Sequence, residues 1–201
     1  EMSASLVGSE MCIRDSKYSV QKREEIRGSM GITDQFVIGH VGNFCYQKNH
    51  YFLLDVFEEV HKKDSNTVLL LAGDGVRFEK VRQIVAEKNL EDVVKLLGRR
   101  SDTDYLYQGM DAFLLPSNFE GLPIAGIEAQ SAGLPCFMSD EITKESKITE
   151  ACYFIPLKSG AKYWAEEILD NRMERQSAEF LDNAEQYDLA NQDQELKSLI
   201  R

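Results

Sequence analysis

Residues 110–135 read MDAFLLPSNFEGLPIAGIEAQSAGLP, and the fold class can be worked out from here. Ala112 to Leu115 is an apolar run of strand length, stopped by Pro116, which has no N–H to continue a ladder. Pro123 to Ala132 reads as a helix with proline in its first turn, a favoured place because that N–H would have had no partner. Cys136 to Met138 is the next short strand. The unit is therefore strand, helix, strand.

The same alternation extends in both directions. Upstream, Lys17 to Met30 is charged with scattered apolar positions and is followed by Gly31, a plausible helix stop. FVIGHVG (Phe36 to Gly42) reads as a buried strand ending in a glycine turn. Asn49 to Lys63 places Phe52, Leu53, Val56, Phe57 and Val60 at helical spacing. Thr67 to Ala72 is a strand broken by Gly73-Asp74-Gly75. A helix over Arg77 to Lys88, a strand over Val93 to Leu97 ending in Gly98, and a short helix over Asp102 to Gln108 follow. Downstream, Tyr153 to Ile155 is the last strand, and residues 161–200 read as mostly helical and polar.

Six strands alternating with helices imply an α/β protein: a Rossmann-like, doubly wound parallel sheet covered on both faces. Such sheets bind ligands outside the carboxyl ends of their strands. That rule singles out four loops: Gly42 to Lys48, Gly73 to Gly75, Gly98 to Asp102, and Pro116 to Pro123.

Composition narrows the function classes. The chain has 201 residues, enough for one sizeable domain and too few for two ordinary ones. Its formal net charge of -11 argues against broad nucleic-acid binding, which needs a basic face. A few local donors can still hold an anionic small ligand. The cysteines (Cys12, Cys45, Cys136, Cys152) show no C-x-x-C spacing and read as thiols of a reducing cytoplasm. His40, His50 and His61 show no metal-ligand spacing with them, so no metal site is expected. No apolar run approaches the ~20 residues that span a bilayer. Residues 1–16 fit no periodicity; Met2 to Ser16 (MSASLVGSEMCIRDS) resembles translated sequencing-adapter read-through, the alternative being an ordinary disordered extension.

The chemistry concentrates at Glu120-Gly-Leu-Pro-Ile-Ala-Gly-Ile-Glu128. The helix start after Gly121, Leu122 and Pro123 offers backbone N–H groups to the strand-end crevice, a plausible diphosphate seat. Glu120 in the loop and Glu128 in the helix would repel phosphate, so hydroxyl groups are their natural partners. Other residues have blander readings. Asn49 could merely cap a helix beginning after Lys48, Asp74 reads as a turn residue, and His40 reads as a packed core histidine, whereas His50 lies close to the phosphate-loop candidate.

The E-x7-E spacing after LPSNFEGLP, together with VGNFCYQKN, LLLAGDG, LLGRRSD and EAQSAGLP in this order, resembles the large retaining glycosyltransferase family of the GT-B fold (family 4, group 1). The likeness covers nearly all of the chain after Ser16 and is nearest to enzymes of bacterial capsular and exopolysaccharide assembly. It implies that residues 17–201 are the C-terminal, nucleotide-sugar-binding half, with an N-terminal acceptor-binding domain missing. It further implies transfer from a nucleotide-diphosphate sugar, a UDP-sugar by expectation, to a saccharide or lipid-linked acceptor with retention. Neither metal nor cofactor is implied. The setting would be the cytoplasm, with any contact at the inner face of the membrane made by the missing half.

Carried over residue by residue, the resemblance makes Glu120 the contact to hydroxyls of the transferred sugar and Lys48 the cation on the leaving diphosphate. Glu128 would hold the ribose hydroxyls, and the backbone from Gly121 through Leu122 to Pro123 would touch diphosphate or sugar. Gly42, Gly73 and Gly75 would line the donor site, and Arg99, Arg100 and Ser101 would read the base. Asn43 stands where many relatives carry arginine, which removes one cation from the phosphate clamp. Two other readings share the fold: a sugar-nucleotide 2-epimerase and a non-catalytic nucleotide-binding module.

Overall fold

A computed structural model of the chain describes residues 18–173 and 175. Six strands form one parallel sheet: β1 (Phe36–Val41), β2 (Thr67–Ala72), β3 (Val94–Gly98), β4 (Ala112–Leu115), β5 (Cys136–Ser139) and β6 (Cys152–Ile155). Their spatial order is β3-β2-β1-β4-β5-β6. The chain builds outward from β1 in one direction, then returns to build outward from β4 in the other. The switch of direction lies between β1 and β4, where the crossovers leave a crevice at the carboxyl ends.

Among the described residues six α-helices cover the sheet: α1 (Val20–Ser29), α2 (His50–Lys63), α3 (Phe78–Glu87), α4 (Thr103–Gly109), α5 (Ile124–Ser131) and α6 (Gly160–Asp170). Every residue of β2 is buried, as a central parallel strand requires. Side chains alternate between faces, so Leu69 and Leu71 join Leu53, Phe57 and Trp164 in one core. Val68, Leu70 and Ala72 join Ile26, Tyr107, Met110 and Phe113 in the other. Trp164 is fully buried and donates its indole N–H to the Pro156 carbonyl at 3.0 Å, so its polar atom is satisfied inside the first core.

The entry helix α1 is anchored electrostatically. Asp111, just before β4, pairs with both Arg23 and Arg27 and accepts the Val37 N–H at 2.7 Å. Arg27 places three more donors on the carbonyls of Gly109, Thr33 and Gln35. One carboxylate thus joins α1, β1 and β4.

Most element boundaries fall within a few residues of expectation, and two expectations at helix starts fail. Pro123 is the N-cap of α5 (φ -82°, ψ 83°) rather than a first-turn residue, and the Ile124 N–H bonds the Leu122 carbonyl. Asn49 precedes α2 in a left-handed conformation (φ 54°), with no side-chain cap, so the capping reading fails. Of the stretch 161–200, expected to be mostly helical and polar, α6 covers the first part and ends at Asp170, where the Asn171 N–H closes on the Glu167 carbonyl; what lies beyond residue 173, Arg175 aside, is outside the described residues. The expected extension over 1–16, and Cys12 with it, also lies outside them.

Candidate functional site

Three loops close over the carboxyl ends of β1, β2 and β3 to form a cleft of about 450 Å³. Its walls are Val41, Gly42, Asn43, Ala72, Gly73, Asp74, Gly75, Arg99, Arg100 and Thr103. Backbone hydrogen bonds weld the loops together: Gly42 N–H to Ala72, Phe44 N–H to Asp74, and Gly73 N–H to Gly98, at 2.8–3.0 Å. The approach is so close that only glycine fits. A Cβ at Gly73 (φ +141°) would run into the Gly42 carbonyl oxygen, and one at Gly75 (φ +152°) would lie 2.7 Å from the Phe44 carbonyl oxygen. Asp74 acts as a turn residue, its carboxylate accepting the Gly75 N–H at 2.7 Å. Asn43 and Arg99 are exposed at the rim. Arg100 is held by Asp102 through bonds of 2.8 and 2.6 Å, so its charge is partly spent within its own loop. Ser101 is exposed beside the cleft and does not line it.

A second cluster sits at the topological switch. Lys48, from the loop after β1, pairs with Glu120, from the loop after β4. Only 16% of the lysine side chain and 4% of the glutamate side chain remain exposed. Ser117 donates its hydroxyl to the same Glu120 oxygen at 2.9 Å. The two loops are further joined by the Asn118 backbone N–H to the Gln47 carbonyl (2.8 Å) and the Asn118 amide to the Tyr46 carbonyl (2.7 Å). A nearly buried ion pair of this kind is costly to desolvate, and it is a weak device for stability alone. The pair lies at the switch between β1 and β4, the place where doubly wound sheets bind ligands.

Beneath Lys48 lies a pair of histidines. His40 bonds the Leu114 carbonyl through Nδ1 at 2.8 Å, which confirms its core role. His50 is stacked on Phe44 at 4.0 Å and meets the His40 ring edge-on at 4.8 Å, and neither of its nitrogens has a hydrogen-bond partner among the described residues. Burial, with the Lys48 charge above and Arg77 nearby, pushes His50 down to about 3. It supports the loop from within, buried beneath the surface that a ligand would touch.

Glu128, on α5, is tied to α4 instead. Its Oε2 accepts the Tyr107 hydroxyl at 2.9 Å. Burial lifts its pKa; the Tyr107 bond opposes that shift, and the Asp104 charge adds to it. Gly121 and Leu122 are exposed between Glu120 and α5. A Cβ at Gly121 would meet nothing within 4 Å, so packing does not demand glycine there.

Of the residues singled out from sequence, Gly42, Asn43, Gly73, Gly75, Arg99 and Arg100 meet around one cleft, and Lys48 and Glu120 meet as a pair. Glu128, Gly121, Leu122, Pro123 and Ser101 do not line that cleft. Sequence reading missed Ser117, Asn118, Thr103 and Tyr107. The first two sit inside the LPSNFEGLP motif and were findable there; Tyr107, in a seven-residue helix, carries no signal that separates it from an ordinary core aromatic. Among the described residues, no group of three or more His, Cys, Asp or Glu could hold a metal ion, and no helix is long and apolar enough to cross a membrane.

The chain is similar to EpsF of Bacillus subtilis, named as a glycosyltransferase, at 37% identity over 126 residues, covering 62% of this chain and 33% of EpsF. It is 30% identical over 168 residues to CapH of Staphylococcus aureus, a capsular polysaccharide biosynthesis glycosyltransferase, covering 80% of this chain and 46% of CapH. Among solved structures, HepE of Anabaena, crystallised with UDP and glucose, superposes with a TM-score of 0.78 at 20% identity, covering 94% of this chain and 54% of HepE. That likeness shows the same fold. The chain therefore spans between a third and about half of the length of these relatives. The family described as glycosyl transferases group 1 matches residues 22–188, most of the chain, and the protein belongs to that family.

Proposed function

We propose that this chain is the donor-binding part of a retaining glycosyltransferase that uses a nucleotide-diphosphate sugar, a UDP-sugar, in cell-surface polysaccharide synthesis. The observation that carries the reading is the Lys48–Glu120 pair at the topological switch, directly beside a glycine-walled cleft rimmed by arginines. UDP in the structure of HepE supports the choice of ligand class, and the capsular polysaccharide role in the name of CapH supports the setting.

In this reading the base lies toward Arg99, Arg100 and Ser101, and the ribose hydroxyls bond the Glu128 carboxylate. The diphosphate lies over Gly42 and the backbone of Gly121 to Pro123. Lys48 then leaves Glu120 to neutralise charge that develops on the departing phosphate oxygen as the anomeric bond lengthens. Glu120, released from the lysine, accepts hydroxyls of the sugar and holds the anomeric carbon in place. A preorganised donor aimed at developing charge contributes of order 10²–10³ in rate. Asn43 supplies no charge, so Lys48 is the main cation of the clamp. No metal takes part, and the acceptor, a saccharide or a lipid-linked saccharide, is bound by a separate domain.

Calorimetric titration with UDP, GDP and ADP, for wild type and Glu128→Ala, tests the reading. Preference for UDP that is lost in the variant is the expected result. Equal binding by wild type and variant would remove Glu128 from the donor site, and a preference for another diphosphate would reassign the base. Nucleotide binding without sugar transfer in a protein that also carries an acceptor domain would favour a non-catalytic module.

A further inference from the structure

Tyr107 has no solvent exposure, yet it carries a hydroxyl where phenylalanine would fill the same space. Its ring sits in the second core, edge-on to Phe113 at 5.8 Å. Its hydroxyl reaches out of that core toward α5, 2.9 Å from Glu128 Oε2 and 3.3 Å from the Ala125 carbonyl oxygen. The Ala125 carbonyl could satisfy a buried phenol by itself; the shorter contact is the one to the carboxylate. The Glu128 carboxylate makes no other hydrogen bond among the described residues, and neither of its oxygens is a buried atom left without a partner.

We propose that Tyr107 is the positioning residue for Glu128: its hydrogen bond to Oε2 locks the carboxylate rotamer and leaves Oε1 turned outward for the ribose diol. The proposal rests on the reading of Glu128 as the ribose ligand. Each carboxylate oxygen has two acceptor sites, so Oε2 keeps one after accepting from Tyr107, and Oε1 keeps both. A glutamate near a helix start otherwise samples several rotamers, and ordering it on binding would cost affinity. The bond also favours the ionised form that accepts from hydroxyls, against the burial and the Asp104 charge that disfavour it. Tyr107 belongs to the helix whose first residue, Thr103, lines the cleft, so cleft wall and ribose ligand are held by one rigid element.

The test is a double-mutant cycle read with two ligands, UDP and 2′,3′-dideoxy-UDP, on wild type, Tyr107→Phe, Glu128→Gln and the double variant. Tyr107→Phe keeps the ring and is expected to melt as a folded protein. It should weaken UDP binding roughly tenfold, the worth of one hydrogen bond to a charged group. Binding of the dideoxy ligand should change little, and the Glu128→Gln background should show no further loss. Equal weakening of both ligands, or the same loss in the Glu128→Gln background, would make Tyr107 merely structural and overturn the proposal. If Glu128→Gln weakens UDP while Tyr107→Phe does not, the proposal fails and the ribose reading stands. If Glu128→Gln leaves UDP binding unchanged, both fall together.

Discussion

The histidine pair under the Lys48 loop makes the stability of this domain sensitive to mild acid. His50 titrates near 3 in the folded protein and near 6.5 in the unfolded chain, because folding strips its ring of water and places Lys48 and Arg77 nearby. A base whose pKa is depressed by folding binds its proton better when unfolded. Its contribution is fully present above pH 6.5 and is lost as pH falls toward 3. Between pH 7 and pH 5 the unfolded state gains about 2 kcal/mol from protonating His50, while the folded histidine stays neutral. His40, also held well below the ordinary histidine value by full burial and by His50, adds a loss of the same sign as pH falls. The variant His50→Phe keeps the stacking on Phe44 and removes both unpartnered nitrogens. Urea unfolding of each protein at pH 7 and pH 5 compares every variant with itself, so any overpacking by the larger ring cancels. Wild type should lose about 2 kcal/mol more than His50→Phe across this interval. Equal losses in the two proteins would refute a neutral, desolvated His50.

Other consequences follow from the same geometry. Lys48→Met leaves Glu120, with 4% of its side chain exposed, without its cation; we expect about 3 kcal/mol of destabilisation in thermal or urea unfolding. Adding Glu120→Gln should recover most of that stability, and a single variant as stable as wild type would show that the pair is not desolvated. Gly73→Ala forces a Cβ toward the Gly42 carbonyl at φ +141° and should cost at least ~2 kcal/mol and abolish UDP binding, an expectation that an unchanged urea midpoint would contradict. Because burial raises the Glu128 pKa, UDP affinity should fall as pH is lowered through a range above that of an ordinary carboxylate. Titration of 2′,3′-dideoxy-UDP separates this from protonation of the phosphate, and Glu128→Gln should flatten the difference between the two ligands. A pH-independent ratio of the two affinities in wild type would rule the effect out.

The strands and their order of appearance were legible because they are local properties. TVLLLA between polar flanks, and AFLL before Pro116, announce buried strands through composition and length, and both were placed to the residue. Glycine turns were legible for a similar reason, since Gly73 and Gly75 interrupt an apolar run at the point where a parallel strand must turn. The boundaries of α5 and α6 were less legible. Pro123 suits either the N-cap or the first turn, and nothing in a polar, helix-prone tail announces a stop at Asp170.

The class of fold, the family and the glycine-marked loops after the strands are all legible in the linear chain. Which of those loops meet is a matter of folding in three dimensions. Lys48 and Glu120 are 72 residues apart, and only the reversal of winding between β1 and β4 brings their loops together. Tyr107 and Glu128 lie on different helices, and their bond exists because α4 and α5 pack on the same face of the sheet. Periodicity reports which side of an element is buried. Which carboxylate a buried hydroxyl will find depends on the packing of the whole sheet, a sum over distant contacts that no local window of sequence contains.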